Sequence, residues 1–476
     1  MRRLVCVSNR VAIPRAHSAP GGLTVGVLAA LREHGGLWFG WSGEVTERRA
    51  VEANLHVHRG ISYATIDLPR REFDRYYNGF CNGVLWPLFH YLASGLPYTT
   101  ESRNAYFDVN QRFASALARL LRSDDLVWVH DYHLIPIARM LRQAGFGGRT
   151  GFFLHIPFPN IEMLRTLPNH AELIADLCQY DLVGLQTAGD LAALRGAVES
   201  CLPSVTQVGT NRLRVGTRDL GVGVFPIGVD CDVIAEAAGK AATGERVRRM
   251  TASLVGRKLI LGVDRLDYSK GLLERFNAYE RLLTNCPEYH GKVTFMQIAP
   301  LSRGDVRAYG EIRRSLEQAA GRVNGRLGDA DWTPIRYLNR NFEHDELMGF
   351  LRAAQVGLVT PVRDGMNLVA KEFVAAQEPM DPGVLVLSPL AGAARELTAA
   401  LHVNPYDADA VARTIAQALE MPLVERRARH QAMLEHLRVH DIHHWHRSFL
   451  EALSGQPVPR GHDTSMAALR HAGADS

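Results

Sequence analysis

LVTPVRDGMNLVAKEFVAAQ, residues 358–377, decides the architecture. The apolar run Val356 to Val359 reads as a buried strand, and Pro361 ends it. A charged loop, Arg363-Asp364-Gly365, follows, and a helix begins near Asn367, a good N-cap. Strand, loop and helix in that order aim free backbone N–H groups and a positive helix end beyond the strand, an arrangement that favours phosphate. Glu372, about one turn into the helix, could accept two hydrogen bonds from a ribose diol, as acidic residues do in α/β nucleotide sites. An ordinary strand-to-helix turn in a parallel sheet accounts for the same residues.

Outward from this unit, short apolar runs alternate with helix-period segments. Candidate strands are RLVCV (3–7), LVWVH (126–130), GFFLH (151–155) and DLVGL (181–185), then KLILGV (258–263), KVTFMQI (292–298), PIRYL (334–338) and GVLVLS (383–388). Nearly continuous apolar strands between helices indicate parallel sheets covered on both faces. The pattern restarts near Lys258, and VFPIGVD (224–230) reads as a last strand running into a hinge. The fold class is therefore α/β, with two doubly wound, Rossmann-like domains, 1–228 and 229–454, facing each other across a cleft. The stretch 455–476 is poor in large apolar residues and reads as a disordered tail.

Composition narrows the function. The 476 residues are 46% hydrophobic and 22% charged, as in a soluble globular protein. A net charge of +4 argues against a dedicated nucleic-acid binder and suits anionic small molecules held by local Arg and Lys. The six cysteines (6, 81, 178, 201, 231, 286) form no CxxC pair and read as reduced thiols in the cytoplasm. No run approaches the ~20 apolar residues of a membrane span. Only LVCV separates Arg2-Arg3 from Ser8-Asn9-Arg10, too little for a signal peptide.

Polar residues cluster just after the strands. In VDRLDYSKGL (263–272), Arg265 and Lys270 share a loop with Gly271 at a helix start; two cations there suit a departing diphosphate. A pair of solvated loop cations is the plainer account. Arg10 ends the first strand, and Gly21-Gly22 precede LTVGVLAAL; this is neither a Walker loop nor a Rossmann fingerprint. Tyr77 and Trp86, in YYNGFCNGVLWP (76–87), could fill core or wall a sugar pocket. HDYHLIP (130–136) and LHIPFP (154–159) each begin where a strand ends; Asp131 is placed to accept from an acceptor hydroxyl, and His155 could bond a sugar hydroxyl or stabilise charge near a reacting carbon. Arg303 follows KVTFMQI, and Phe342 could pack on a base or fill a core gap. The three D-x-D pairs (230/232, 329/331, 407/409) sit beside turns or helix starts, and HDIHHWH (440–446) reads as a solvated helix face; neither is taken as a metal site.

Five segments in order, SNR…GGL, YNGFCNGVLWP, HDYHLIP with HIPFP, DRLDYSKGL and RDGMNLVAKE, resemble the trehalose-6-phosphate synthases, retaining glycosyltransferases of GT-B fold. The resemblance covers residues 4–452 and implies glucose transfer from UDP-glucose to glucose 6-phosphate in trehalose biosynthesis, a route to stress protection. It assigns the acceptor to the first domain and the nucleotide sugar to the second, with the last helix crossing back to the first. It implies acceptor contacts from Arg10, Tyr77, Trp86, Asp131 and Arg303. Donor contacts would come from Gly21, Gly22, His155, Arg265, Lys270, Phe342, Asp364, Leu368, Val369, Ala370, Lys371 and Glu372. Asp131, His155, Arg265, Lys270 and Asp364 would carry catalysis, with no cofactor required and a divalent metal at most stimulatory. A homo-oligomer, dimer or tetramer, without nucleic-acid or membrane partners, is also implied. Cys81 stands where the family usually has a small hydroxyl residue, and Asn160-Ile161 depart from the small residues expected after PFP. The alternatives are another phosphorylated acceptor, such as glycerol 3-phosphate, and a non-catalytic sugar-phosphate sensor.

Overall fold

The computed structural model describes residues 2–13, 22–47, 52–301 and 307–455. Gly21, Arg303 and most of the expected tail therefore lie outside the described residues. Ten strands make a first sheet: β1 Leu4–Arg10, β2 Gly36–Thr46, β3 Asn54–His58, β4 Ile61–Pro69, β5 Leu126–His130, β6 Arg149–Phe153, β7 Leu182–Leu185, β8 Val205–Gln207, β9 Arg212–Val215 and β10 Arg218–Val224. Six make a second: β11 Lys258–Val263, β12 Val293–Ile298, β13 Ile335–Leu338, β14 Val356–Val359, β15 Val384–Leu387 and β16 Leu401–His402.

The first sheet runs β3-β4-β2-β1-β5-β6-β7-β10-β9-β8 and the second β13-β12-β11-β14-β15-β16. The second is parallel throughout, and the first is antiparallel only at β3–β4, β10–β9 and β9–β8. Each sheet starts in its middle and grows first to one side, then to the other. The reversal falls between β1 and β5 in one sheet and between β11 and β14 in the other. Loops leave in opposite directions there, which opens a crevice at the carboxyl ends of the strands.

The parallel strands form where their apolar runs stand, because both faces are covered: β5, β7, β12, β14 and β15 are buried along their whole length. VFPIGVD, read as a last strand running into a hinge, contributes only Val224 to a strand. β10 ends at Val224, and residues 225–230 cross between the sheets outside any ladder. Pro226 has no N–H to give, and the segment is held by single bonds, Phe225 N to Leu185 O (2.8 Å) and Ile227 N to Gln186 Oε1 (3.0 Å).

The helix Ile442–Ser454 returns from the second sheet to the first. Phe449 stacks on Trp128 at 4.7 Å between centroids, and Trp445 lies 4.9 Å from the same ring. Gly184 and Gly26 make room for it: a Cβ on Gly184 would sit 2.7 Å from the Phe449 ring, and one on Gly26 2.8 Å from Trp445. One apolar cluster consequently includes residues of both sheets. This corrects the solvated-face reading of HDIHHWH: Ile442, Trp445 and His446 are buried, and only the other side of that turn meets solvent. Periodicity places Trp445 and Phe449 inward, and His446 follows Trp445 around the helix.

Candidate functional site

The second-sheet rim is assembled from the loops after β11 and β14. Gly271, at φ +64°, begins the helix Leu272–Asn285, and a Cβ there would lie 2.4 Å from Thr360 O. Only glycine lets the two loops touch so closely. Lys270 Nζ then reaches Asp364 Oδ2 at 2.5 Å, and Asn367 Nδ2 donates to the same oxygen at 3.0 Å. Burial opposes ionisation of Asp364, yet the Lys270 ammonium outweighs it and holds the carboxyl below its ordinary value. Asn367, itself left-handed at φ 72°, caps the helix Leu368–Ala376 by accepting from Ala370 N. The N–H groups of Leu368 and Val369 follow that cap in the first turn, where the helix itself offers them no acceptor.

Beneath these loops is a buried guanidinium that local pattern did not single out. Arg275 pairs with Asp264 at 2.6 Å, donates to Thr360 Oγ1 at 3.0 Å and holds the carbonyl of Lys270 at 3.0 Å. It ties the β11 loop to the β14 loop. Its one sequence signal is an arginine on the apolar side of LLERFNAYERLL, beside Phe276 and Tyr279. Asp267, also buried, accepts from Ser269 N, Ser269 Oγ and Tyr309 OH within 3.0 Å and fixes the turn that carries Lys270.

On the first-sheet rim, Asp131 follows β5 with φ +75°, a conformation unusual for a residue with a Cβ. Its Oδ1 accepts from His155 N at 3.2 Å, which joins the β5 and β6 loops. The His155 ring faces His130, Nε2 to Nδ1, at 3.2 Å. Burial pushes the His155 imidazole down to about 3, and burial together with His155 pushes His130 well below its ordinary value, so both are neutral at pH 7. Arg10, exposed at the end of β1, lies 6.0 Å from the Trp41 ring. Gly43 (φ +92°) clears the space it occupies, since a Cβ there would meet Arg10 Nε at 2.8 Å. Tyr77 stacks on His133 at 5.9 Å. It belongs to the π-helix Phe73–Leu85, a wide turn that frequently marks functional sites.

The rims meet across the cleft. Arg265 lies over the Trp86 ring at 5.4 Å, and Trp86 Nε1 donates to Asp267 Oδ1 at 3.4 Å. Arg363 lies over Tyr91 at 4.1 Å. Gly365 touches the HIPFP loop so closely that a Cβ would be 2.1 Å from His155 O. Asp131, His155, Trp86, Arg265, Lys270 and Asp364 are linked through these contacts, and Tyr77 and Arg10 border them on the first rim.

The remaining predicted residues divide. Gly22 opens the helix Gly22–His34. Glu372 is half-buried and makes no hydrogen bond or ion pair among the described residues. Burial raises its carboxyl, with His344 pulling the other way. Phe342 is buried against Phe350, edge to face at 5.3 Å, with Arg340 over its ring. Lys371 is committed elsewhere: its fully buried Nζ binds Ile227 O and Glu396 Oε2, each at 2.7 Å, so its charge is not offered to the cleft. Burial lowers its ammonium against the pull of Glu396.

An anion cradle on one switch point, opposite hydroxyl-binding groups on another, is the layout of a two-domain nucleotide-sugar transferase of GT-B architecture. The glycosyltransferase family 20 model matches residues 8–455. The chain belongs to that family. It is 51% identical over 455 residues to a trehalose-6-phosphate synthase of Klebsiella pneumoniae, covering 95% of each. Among solved structures it resembles a UDP-forming alpha,alpha-trehalose-phosphate synthase of Burkholderia vietnamiensis, with TM-score 0.93, 49% identity, and 95% and 97% of the two chains covered. It also resembles a Burkholderia xenovorans enzyme of that name in complex with glucose-6-phosphate, with TM-score 0.92, 50% identity, and 95% and 100% covered. No helix among the described residues is long and apolar enough to cross a membrane.

Proposed function

We propose that the protein transfers glucose from UDP-glucose to the C1 hydroxyl of glucose 6-phosphate with retention, yielding α,α-trehalose 6-phosphate and UDP. The bond between donor C1 and the β-phosphate oxygen breaks, and C1 bonds to the acceptor oxygen. The acceptor proton passes to the departing phosphate. Lys270, fixed by Asp364 and backed by the Arg275 network, and Arg265 stabilise the charge that grows on that phosphate. The N–H groups of Leu368 and Val369 support the diphosphate, that of Ala370 being taken by the Asn367 cap, and Glu372 takes the ribose diol. Asp131 orients the acceptor, while Arg10 and Tyr77, with Arg303 from outside the described residues, hold its phosphate. Neutral His155 hydrogen-bonds the donor sugar without adding positive charge beside the reacting carbon.

The observation that carries this reading is the Lys270–Asp364 pair facing Asp131 and His155 across loops in direct contact. Relatives named UDP-forming, one of them holding glucose-6-phosphate, support the choice of substrates. The division into units 1–228 and 229–454 agrees with sheets ending at Val224 and beginning at Lys258. We also assign a cytoplasmic location, supported by six cysteines outside any disulfide, and a homo-oligomer, supported by Leu55 and Val57 exposed on edge strand β3. Light scattering checks the last. The principal test is UDP release from UDP-glucose with and without glucose 6-phosphate, with the sugar product identified by NMR. Acceptor-dependent release of an α,α-1,1-linked product supports the proposal; release with glycerol 3-phosphate in its place overturns the acceptor assignment.

A further inference from the structure

Away from the cleft, three ligating side chains from two helices converge. Glu33 lies in the last turn of Gly22–His34, and His443 and His446 stand one turn apart on Ile442–Ser454. His446 Nε2 is 3.4 Å from His443 Nδ1 and 3.5 Å from Glu33 Oε2. His443 Nδ1 is 3.6 Å from the same Glu33 oxygen, so the three atoms form a nearly equilateral triangle. Hydrogen bonds would draw such atoms to ~2.7–3.2 Å. None of the three separations falls in that range. A tetrahedral ion with bonds of ~2.0–2.2 Å to nitrogen and oxygen holds its ligand atoms ~3.3–3.6 Å apart.

Two further features point the same way. His446 is fully buried, and among the described residues its Nδ1 has no hydrogen-bond partner while its Nε2 faces His443 and Glu33. Behind His443, Asp230 Oδ2 lies 3.9 Å from Nε2, the second ring nitrogen. Metal-bound histidines commonly present that nitrogen to a carboxylate, which fixes the tautomer.

We propose that Glu33, His443 and His446 bind a divalent transition-metal ion of the zinc type, with Asp230 supporting His443. Two imidazoles and one carboxylate suit zinc and its neighbours, whereas calcium and magnesium select oxygen ligands. Glu33 and His443 keep some solvent exposure, which leaves room for water at a fourth position. The ion fastens the returning helix to the helix that begins at Gly22, beside the start of the second unit at Asp230. It shares no residue with the cleft and supplies no step of the transfer.

The test uses the full chain stripped with a chelator, then titrated with Zn²⁺ by calorimetry and with Co²⁺ by visible absorption. One ion per chain, a thermal midpoint that rises with free Zn²⁺ and a tetrahedral-type Co²⁺ spectrum are expected. Glu33→Gln and His443→Ala, both at partly exposed positions, lose the site while keeping the wild-type circular dichroism. Asp230→Asn preserves the helix cap that Asp230 gives Val233 N and weakens binding ~10–100-fold. Absence of saturable Zn²⁺ binding by the wild-type chain overturns the proposal. So does stoichiometric binding that survives in both Glu33→Gln and His443→Ala.

Discussion

Replacing Lys270 by Met separates what the Lys270–Asp364 pair does for stability from what it does for catalysis. Both side chains are nearly enclosed, 11% and 13% exposed, and their charged atoms are 2.5 Å apart. Met fills the space of the stem and leaves the Asp364 carboxylate, among the described residues, with Asn367 as its one side-chain hydrogen-bond donor, beneath a cap that depends on the same loop. Breaking one side of such a pair costs about 3–5 kcal/mol, because the remaining charge stays buried. Loss of a donor to the leaving group separately costs ~10²–10³ in rate, or about 3–4 kcal/mol of barrier. The double variant Lys270→Met/Asp364→Asn removes both charges. Its urea midpoint should return most of the way to wild type, since the amide that replaces the carboxylate can still meet Asn367. Its kcat/KM should stay at least ~10²-fold low, measured by UDP release with saturating glucose 6-phosphate. If activity returns together with stability, Lys270 does no more than neutralise Asp364, and the leaving-group role is wrong.

Three other outcomes follow from the same geometry. Gly365→Ala should leave the fold intact by circular dichroism but reduce kcat/KM, because its Cβ would strike His155 O and Ile156 Cα and force the two loops apart; unchanged kinetics would mean the contact is not needed for turnover. Arg275→Met should destabilise by about 3–5 kcal/mol in urea unfolding, since it strands Asp264, while Arg275→Met/Asp264→Asn should recover much of the loss. His155 has its folded value near 3 against an ordinary 6.5, so the native state resists a proton that the unfolded chain accepts. Its contribution is complete above pH 6.5 and is lost as pH falls from there toward 3, the loss reaching about 2 kcal/mol near pH 5. Urea midpoints between neutral and acid pH should therefore converge for wild type and His155→Asn as the pH is lowered, relative to their separation at neutrality.

Much of the fold was readable because parallel strands covered on both sides are nearly pure apolar runs, as LVWVH and KLILGV are. β2 and β4 escaped the reading. Their partly covered, glycine- and serine-containing segments GLWFGWSGEVT and ISYATIDLP blur that pattern, and the short polar strands β8 and β9 depend on a hairpin partner. At the site, residues just beyond strand ends could be nominated from order alone. What such order does not contain is who pairs with whom. Lys371 sits within the same motif as Glu372, yet its charge belongs to Ile227, 144 residues away, and to Glu396 beyond the next strand. Arg275 and Asp267 hold the cationic loop from below through distant partners, Thr360 eighty-five residues from Arg275 and Trp86 181 residues from Asp267. Gly43 matters only because Arg10 lies against it.

The returning helix also sets the order in which the protein can be made. Trp128, Gly151 and Gly184 present a surface that Trp445 and Phe449 cover, and those two residues leave the ribosome only after every strand of the second sheet. During synthesis the first unit must therefore wait with an apolar face open. A nascent chain halted before Ile442 would carry that face uncovered, which makes it a natural client for holdase chaperones, and supplying the helix in trans would close the face.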